Sequence, residues 1–434
     1  MNEVTAAPQT RVVRLGVLGH GVVGSAFVAL VAARAEAVRA RSGVDLRVTR
    51  VAVRHPERHG GLPADALVAD PHAVVADPEV DLVVELMGGV DPAREIVATA
   101  LGKGKPVVTA NKALLARHGA ELFAAADAAG IDLLFEAAVC GGIPLVRPLR
   151  ESLRGEPIER ILGIVNGTTN YVLTEMTERG TEYADALAGA QRLGYAETDP
   201  TADVEGHDAA AKIAIIAGIA FGARVTLADV HAEGISRVTA ADIAIARRFG
   251  FAVKPLGVAE RRAPDGAISV RVHPALVPLT HPLASVRGAY NAVVVDGAAS
   301  GSLMFYGRGA GGEPTASAVL GDVIDAAVNL RKGTHAPLGS FGAARLAPMA
   351  SLQGEYMIGL EVADRPGVLH AVAGVFAHNS VSIRAAEQDG IGTDARLVFL
   401  THHAEEAAVQ ACLAGLRNLD VVTHVGALLR VIPG

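Results

Sequence analysis

A glycine-rich turn near the amino terminus constrains the fold of this 434-residue chain more than any other feature. The apolar, β-branched stretch RVVRLGVLG begins at Arg11, and the turn GHGVVG then leads into SAFVALVAARAEAV, which has the composition of a helix. Gly19, Gly21 and Gly24 thus form the pattern GxGxxG between a strand and a helix. That placement suits a dinucleotide, because the glycines allow a tight turn and a close backbone approach while helix N-terminal amides face the pyrophosphate.

We therefore predict that the three glycines, together with the backbone of Val22 and Val23, bind a dinucleotide cofactor. The alternative is a glycine-rich turn in a sheet that binds no ligand. The pattern alone is weak, and its position inside a strand-turn-helix unit is what favours the cofactor.

Four further strands are expected in the first third of the chain, separated by Ala-rich helical sequence. They cover residues 45–54, 81–89, 105–112 and 131–139. Their nearly continuous apolar character is typical of a parallel sheet covered by helices on both faces. We predict an α/β fold whose first domain, residues 11–140, is a doubly wound, Rossmann-type unit that a glycine-rich loop and helix at about 307–335 complete.

The rest of the chain has a different texture. Residues 141–306 mix longer helices, expected at 182–193 and 205–220 among others, with strand-like segments. This mixture predicts an α+β domain, which we expect to serve substrate binding and dimerisation. Residues 336–354 are rich in Gly, Ala, Pro and Ser without a sustained period, which is typical of a linker. From 355 to 434 the expected order is βαββαβ, the order of a ferredoxin-like domain.

Charge and cysteine content exclude several classes of function. The chain has 39 Lys and Arg against 46 Asp and Glu, and no basic run, so nucleic acid and anionic membranes are not expected partners. The two cysteines, Cys140 and Cys412, lie far apart without metal-binding spacing, which argues against a disulfide framework and a structural zinc site. Without a signal-like start or an apolar run of about 18 residues, we expect a cytoplasmic protein.

The end of the second predicted strand bears on the choice of cofactor. An NAD enzyme usually carries Asp or Glu there, whereas this chain has Val53 followed by Arg54. Because an arginine suits a 2′-phosphate better than a bare ribose diol, Arg54 favours NADP over NAD. The alternative for Arg54 is a solvated surface charge, and NAD stays possible.

The stretch GYAETDPTADVEGHDAAAKIA, residues 194–214, concentrates acidic residues ahead of a single lysine. Asp208 and Lys212 are four residues apart in helical sequence, which places them on one face of a helix. The apolar run that follows predicts burial, and a buried carboxylate and ammonium need each other or a ligand. The plainer alternative is a structural salt bridge.

A second lysine, Lys112, follows an apolar strand in the sequence TANK. Ligands of open α/β sheets bind outside the carboxyl ends of the strands, so this lysine is placed to meet the cofactor, unless it is an ordinary loop residue. Two lysines, several carboxylates and a dinucleotide turn together predict a hydride-transfer site. The ammonium groups can polarise a carbonyl and protonate an alkoxide, while the carboxylates hold a cationic amine.

At this point the residues resemble the homoserine dehydrogenase family. GHGVVG, TANK, EAAVCGGIP, VNGTTNY and GRGAGGEPTASAV occur in the family's order between about residues 11 and 335. The acidic run matches through Ala190, Gly194, Tyr195, Glu197, Asp199, Pro200, Asp203, Gly206, Asp208 and Lys212. The tail from about 355, with DRPGVL, resembles an ACT domain, a regulatory module that commonly binds amino acids at paired interfaces.

The resemblance implies NAD(P)-linked interconversion of L-aspartate 4-semialdehyde and L-homoserine, on the route to threonine and methionine. It implies that Lys212 is the proton donor and that Lys112 contacts the cofactor and assists catalysis. The amino acid would be bound by Glu197, Asp203 and Asp208, and the cofactor would be approached by Gly194 and Gly309. It also implies a sodium ion held by main-chain carbonyls at Glu136, Val139, Gly141 and Ile143.

The regulatory and assembly expectations also follow from the resemblance. We expect threonine as a feedback effector of the ACT module and a homo-oligomer, dimer or tetramer. The alternative for the module is a role in subunit assembly alone.

Within the turn, Val22 stands where many members of the family have threonine, and His20 fills a variable position. Neither departure removes a glycine. Cys140 could suggest a thiol nucleophile, but its flanks, AAVCGGIP, lack the Cys-x-Thr-Asn pattern of phosphorylating semialdehyde dehydrogenases, so we expect a small core or loop residue.

Two other functions stay open from the sequence. One is a catalytically silent amino-acid sensor, against which the intact set of Glu197, Asp208, Lys212 and Lys112 argues. The other is an NADP oxidoreductase of a different small amino or keto acid.

Overall fold

A computed structural model describes residues 11–59, 61–262, 265–339, 341–389 and 395–433. The chain forms two compact units. The first comprises Met1–Glu156, Ala214–Ala228 and Phe305–Ala343, and the second Pro157–Ile213, Asp229–Met304 and Ala344–Gly434. Among the described residues, no helix combines the length and apolarity that a membrane crossing requires.

The first unit contains a six-stranded sheet. Its strands are β1 (Arg11–Leu18), β2 (Val44–Ala52), β3 (Leu67–Val68), β4 (Leu82–Glu85), β5 (Val107–Thr109) and β6 (Leu133–Leu134). The helices between them are α1 (Val22–Ser42), α2 (Pro71–Ala76), α3 (Ala93–Gly102) and α4 (Lys112–Ala129). All five strand pairings are parallel, in the order β3-β2-β1-β4-β5-β6, so the predicted Rossmann-type sheet is confirmed.

The remaining elements continue in chain order. The middle of the chain has β7 (Ile158–Ile164), α5 (Gly167–Arg179), α6 (Tyr183–Arg192), α7 (Thr201–Val204), α8 (His207–Phe221), β8 (Ala223–Arg224), β9 (His231–Ala232), α9 (Ala240–Arg248), β10 (Phe251–Arg261), β11 (Ile268–Pro278), β12 (Tyr290–Gly297), β13 (Gly301–Arg308) and α10 (Gly312–Lys332). The last part has β14 (Gly342–Ala343), β15 (Gln353–Gly354), β16 (Tyr356–Val362), α11 (Val368–His378), β17 (Ile383–Asp389), β18 (Ala395–Thr401), β19 (Ala404–Glu405), α12 (Glu406–Arg417) and β20 (Val422–Val431).

Apolar side chains from α1 and α10 cover the sheet of the first unit. Val13, Leu15 and Val17 of β1 are fully buried and belong to the same core as Phe27 of α1 and Val323 of α10. The nearly continuous apolar strands therefore fold as expected for a sheet that is covered by helices.

A ten-stranded mixed sheet combines strands from the middle of the chain with those of the C-terminal module. Its order is β13-β12-β7-β10-β11-β20-β16-β18-β17, with β9 pairing beside β11. The C-terminal strands follow the predicted βαββαβ order, and the ferredoxin-like fold is confirmed. One feature was not predicted: β20 pairs with β16 on one side and with β11 on the other, so the two modules of the second unit share one sheet.

Several elements differ in length from the sequence prediction. The third and fourth predicted strands shorten to β4 and β5, because the polar residues at their carboxyl ends form hydrogen-bonded loops instead of ladder pairs. The helix predicted at 205–220 starts at His207. Gly206 adopts a φ of +82°, a left-handed conformation that ends α7 before α8 begins.

Candidate active site

The cofactor turn is shaped by close contacts between backbone atoms. A Cβ atom on Gly24 would lie 2.2 Å from the carbonyl oxygen of Gly19, so only glycine fits there. Gly19 has a φ of +100°, and a Cβ on it would lie 2.7 Å from the carbonyl oxygen of Leu86. Two of the three motif glycines are thus required by the turn itself.

The third glycine of the motif faces open space. A Cβ on Gly21 would meet no protein atom within 4 Å. Gly21 is the N-cap of α1, and no side chain caps this helix. The first amides of α1, including those of Val22, Val23 and Gly24, therefore have no partner within the helix and can donate to an anion. This arrangement fits the pyrophosphate of a dinucleotide.

A buried carboxylate organises the loops that precede Lys112. Glu85, at the end of β4, accepts hydrogen bonds from the amide of Met87 (2.8 Å) and the hydroxyl of Thr109 (2.6 Å). Burial raises the pKa of Glu85, against the effect of these hydrogen bonds. The Thr109 hydroxyl in turn accepts from the amide of Asn111 at 3.0 Å. The loops after β4 and β5 are thereby fixed to one another.

Lys112 is the first residue of α4 and is partly exposed. Its neighbour Asn111 caps the helix, accepting from the amide of Leu114 at 3.1 Å and donating to the carbonyl of Gly89 at 2.6 Å. The cap fixes the position from which the lysine side chain extends. Arg54 lies just past the end of β2, and its side chain is exposed.

The carboxylate and lysine cluster lies in the second unit. Lys212 is only 8% exposed, and its Nζ donates to the Asp208 carboxylate and to the carbonyl of Val165, both at 2.7 Å. Asp208 and Lys212 are one turn apart on α8, as the sequence predicts. Two acceptors therefore hold the ammonium group in a fixed place on a largely buried helix.

Asn166 joins the two carboxylates of the cluster. Its Nδ2 donates to Asp203 at 2.7 Å and to Asp208 at 2.9 Å. Its Oδ1 accepts from the amide of Thr169 at 2.9 Å, which makes Asn166 the N-cap of α5. Because both ends of its amide are bonded, the side chain holds Asp203 and Asp208 at a set separation beside Lys212.

Comparison with known proteins identifies the family to which this chain belongs. The homoserine dehydrogenase NAD-binding domain profile matches residues 19–136, the homoserine dehydrogenase profile residues 144–324, and the ACT domain profile residues 356–417. The chain is 49% identical to a homoserine dehydrogenase of Mycobacterium bovis, over 96% of this chain and 97% of the relative. It belongs to the homoserine dehydrogenase family.

Solved structures place the fold in the same family. The structure of a homoserine dehydrogenase from Thiobacillus denitrificans has a TM-score of 0.90 at 42% identity, covering 97% of this chain and 98% of that one. A hyperthermophilic archaeal homoserine dehydrogenase in complex with NADPH has a TM-score of 0.63 at 28% identity, covering 73% of this chain and 98% of that one. The chain is thus an NAD(P)-dependent oxidoreductase of this family.

Other predicted site residues lie outside the Asn166 cluster in the described structure. The Glu197 side chain is exposed, and its main-chain carbonyl accepts from Gln191 at 3.1 Å. Gly194 is exposed and has a φ of +74°. Gly309, in the first unit, is buried, and its carbonyl would lie 2.5 Å from a Cβ on Gly141.

The predicted sodium loop is held by a carboxylate. Glu136 is buried, and its side chain accepts from the amides of Leu145 (2.5 Å), Val146 (2.8 Å) and Arg147 (2.8 Å). Val139, Gly141 and Ile143 of the loop are also buried, and Gly141 has a φ of +48°. Cys140 is a buried residue with a φ of +55°.

Asp322 anchors the same segment. Its carboxylate accepts from the amide of Glu136 at 2.7 Å and from the Arg147 guanidinium at 2.9 Å. Burial raises the pKa of Asp322 to about 7, although Arg147 and the amide favour its charged form. No cluster of three or more His, Cys, Asp or Glu side chains suited to a metal occurs in the described part of the chain. A site built from main-chain carbonyls would not require such side chains.

Two residues central to this geometry were not singled out by the sequence analysis. Asn166 stands in VNGTTNY, where its position before a helix signals an N-cap but not its contacts with Asp203 and Asp208. Glu85 ends an otherwise apolar strand, a signal of a functional strand end that could have been used.

Proposed function

We propose that this chain reduces L-aspartate 4-semialdehyde to L-homoserine with a reduced nicotinamide cofactor, as a step toward threonine and methionine. The observation that carries the proposal is the Lys212, Asp208 and Asn166 cluster, which offers a fixed ammonium proton donor beside carboxylates. A zwitterionic substrate with an aldehyde matches both features, because its ammonium needs anions and its developing alkoxide needs a proton.

The residues of the chain divide the work as follows. Asp203 and Asp208, with Glu197, bind the substrate ammonium. Lys212 donates a proton to the carbonyl oxygen as the carbon is reduced, and Asp208 and the Val165 carbonyl orient that donor. Lys112, placed by the Asn111 cap, contacts the cofactor and assists catalysis. When bound, the nicotinamide supplies the hydride.

The cofactor would be held mainly by backbone. The amides of Val22, Val23 and Gly24 would donate to the pyrophosphate, and Gly194 and Gly309 would be the further backbone contacts that the family resemblance implies. Arg54, exposed after β2, favours the 2′-phosphate of NADP, with NAD as the weaker alternative. A relative in complex with NADPH supports this choice.

A sodium ion is proposed at the main-chain carbonyls of Glu136, Val139, Gly141 and Ile143. The three amide contacts of the Glu136 side chain support the proposal, since they hold this loop in one shape. Hard cations prefer such oxygen donors, and the ion would supply a fixed positive charge to the loop.

Threonine is proposed as the feedback effector of the ACT module. The segment DRPGVL leads into α11, and residues 362–369 line a cavity of about 340 Å³ together with Gln388 and Leu397. A cavity of that size accommodates an amino acid, and helix N-terminal amides attract its carboxylate. The alternative remains a module used for subunit assembly.

Assembly, location and domain boundaries complete the proposed description of this chain. We propose a cytoplasmic homo-oligomer, dimer or tetramer, with domain boundaries at 11–140, 141–306, 336–354 and 355–434, and residues 307–335 completing the first domain.

Cofactor oxidation assays test the function. We expect NADPH oxidation with aspartate semialdehyde, slower turnover with NADH, and inhibition by millimolar threonine. A panel of small keto and amino acids serves as the control. Turnover of another panel member in preference to the semialdehyde would overturn the proposed substrate, and full activity in millimolar threonine would overturn the proposed effector.

A further inference from the structure

The last strand of the C-terminal module brings a buried arginine to the catalytic part of the second unit. Arg430 of β20 pairs with Ala275 of β11, and Val431 pairs with Leu276. The Arg430 side chain is 7% exposed. A charge buried at this junction requires partners nearby.

Arg430 binds two carboxylates, one from each module. Its Nε and Nη2 donate to Glu406 of α12 at 3.0 and 2.7 Å. Its Nη1 and Nη2 donate to Glu233 at 2.8 and 2.7 Å, and Glu233 lies just after β9 in the catalytic module. Burial alone would raise the pKa of Glu233, but hydrogen bonds from His231 and Arg430 outweigh it and hold the pKa well below its usual range.

The Glu233 segment is held against α7, the short helix that carries Asp203. The amide of Glu233 donates to Val272 at 2.8 Å, and the amide of Ile235 donates to Val204 at 2.9 Å. Between them, a Cβ on Gly234 would lie 2.3 Å from the Val204 carbonyl oxygen. The Glu233 segment and α7 therefore touch through their backbones, at the residue next to Asp203.

The same contact encloses a small cavity next to the carboxylate side chain that is proposed to bind substrate. The cavity is lined by Asp203, Asn166 and Glu233, among others. Its volume is about 10 Å³. This is room for about one water molecule. A displaced Glu233 would thus alter the wall against which Asp203 and Asn166 rest.

We propose that Arg430, from the C-terminal module, is a positioning residue of the substrate site: by holding Glu233 it fixes the short helix α7, which presents Asp203 to Asn166 and Asp208. The proposal rests on the proposed function, in which Asp203 and Asp208 bind the substrate ammonium. It makes the final strand part of the catalytic framework even when no effector is bound.

A second, partly buried arginine provides a matched control. Arg396 of β18 forms an ion pair with Asp242 of α9, and the two side chains are 15% and 1% exposed. This pair also joins the C-terminal module to the catalytic module. However, α9 carries none of the residues proposed to bind substrate. Loss of the ion pair between Arg396 and Asp242 should therefore affect stability alone.

The test compares Arg430→Lys with Arg396→Lys in the full-length protein. Lysine keeps the charge but cannot bind two carboxylates in a bidentate manner. We expect Arg430→Lys to raise the KM for homoserine about ten-fold, within the roughly hundred-fold loss that a 1 Å misplacement can cause. Arg396→Lys should leave that KM within about two-fold, and both variants should leave the Kd for NADPH unchanged.

Amide hydrogen exchange over residues 201–208 provides a readout that needs no turnover. We expect faster exchange there in Arg430→Lys but not in Arg396→Lys. Equal KM values and equal exchange in the two variants would overturn the proposal. If Arg430→Lys does not fold, Glu233→Gln replaces it, with the same expected direction and the same overturning result.

The two proposals fail in different ways. Wild-type protein that does not oxidise homoserine would overturn the proposed function, and the exchange experiment would still decide the role of Arg430. Wild-type activity with an unchanged KM and unchanged exchange in Arg430→Lys would overturn only the positioning role.

Discussion

The turn at residues 19–24 and the Asn166 cluster differ in the groups that form them. Backbone atoms form the turn, and side chains form the cluster. In the turn, glycine backbone packs so closely that a Cβ on Gly24 would lie 2.2 Å from the Gly19 carbonyl. In the cluster, side chains form the contacts: Asn166 bonds Asp203 and Asp208, and Asp208 bonds Lys212.

Because one region is formed by backbone and the other by side chains, the two regions should tolerate different substitutions. A backbone site is sensitive to added atoms and insensitive to charge, because amides supply the donors. A side-chain site is sensitive to the loss of one charge or one hydrogen bond, because a buried partner is then left unpaired. The two regions should therefore fail separately under mutation.

The largest effect is expected for Lys212→Met, which keeps the buried volume and removes the proton donor. We expect kcat to fall by about 10³-fold, within the range for loss of a general acid. NADPH binding, followed by fluorescence titration, should stay within about two-fold of wild type. A variant with near-normal kcat would remove Lys212 from the mechanism.

Gly24→Ala and Gly21→Ala test the backbone region as a pair. Gly24→Ala should destabilise the fold by about 1–3 kcal/mol and weaken NADPH binding, since the new methyl overlaps the Gly19 carbonyl. Gly21→Ala should change stability by less than about 0.5 kcal/mol, because its φ is −77° and its Cβ meets no protein atom. Thermal unfolding and NADPH titration of both variants check this, and equal destabilisation would contradict the steric argument.

Arg54→Ala tests whether the cofactor site selects NADPH over NADH through this side chain. If Arg54 binds the 2′-phosphate, kcat/KM for NADPH should fall about five- to ten-fold, as for an exposed charge-assisted hydrogen bond. The value for NADH should not change. Steady-state kinetics with both cofactors measures the ratio, and an equal fall for both would show that Arg54 does not select the phosphate.

The smallest effect is a pH dependence of stability from Asp322, a buried side chain in the first unit. Its pKa rises from 3.8 to about 7 in the folded protein. The native state then binds more protons than the unfolded chain between those values, so this group lowers stability as pH rises from about 4 to about 7.

Asp322→Asn removes that titration. Relative to the variant, wild type should lose up to about 1.4 kcal/mol of stability per pH unit in this window. Urea unfolding at pH 5, 6 and 7 gives the two slopes. Parallel slopes would show that Asp322 titrates normally.

The sequence predicted those parts of the fold that local patterns encode. The glycine spacing, the apolar strands and the βαββαβ order each lie within short windows, and the structure has them. The two-residue strand β3 was missed, since so short an apolar pair has no period. Gly206 interrupts the predicted helix because its left-handed φ is a choice that glycine permits but does not require.

The parts of the site that escaped prediction depend on long-range contacts. Asn166 reaches carboxylates 37 and 42 residues away, and Arg430 meets Glu233 across 197 residues. Nothing in the flanking residues of Asn166 or Arg430 encodes these partners. By contrast, the Asp208 and Lys212 contact was predicted, because a separation of four residues in a helix fixes their proximity.

The central claim is that the substrate side chains and the cofactor backbone act as separate sites, and Asp208→Asn tests it most directly. Homoserine-dependent kcat/KM and the Kd for NADPH should be measured on one preparation of this variant. The account predicts a fall in kcat/KM of about 100-fold, from loss of a charged hydrogen-bonding partner, with the Kd for NADPH within about two-fold of wild type. A parallel loss of both, or an unchanged kcat/KM, would contradict it.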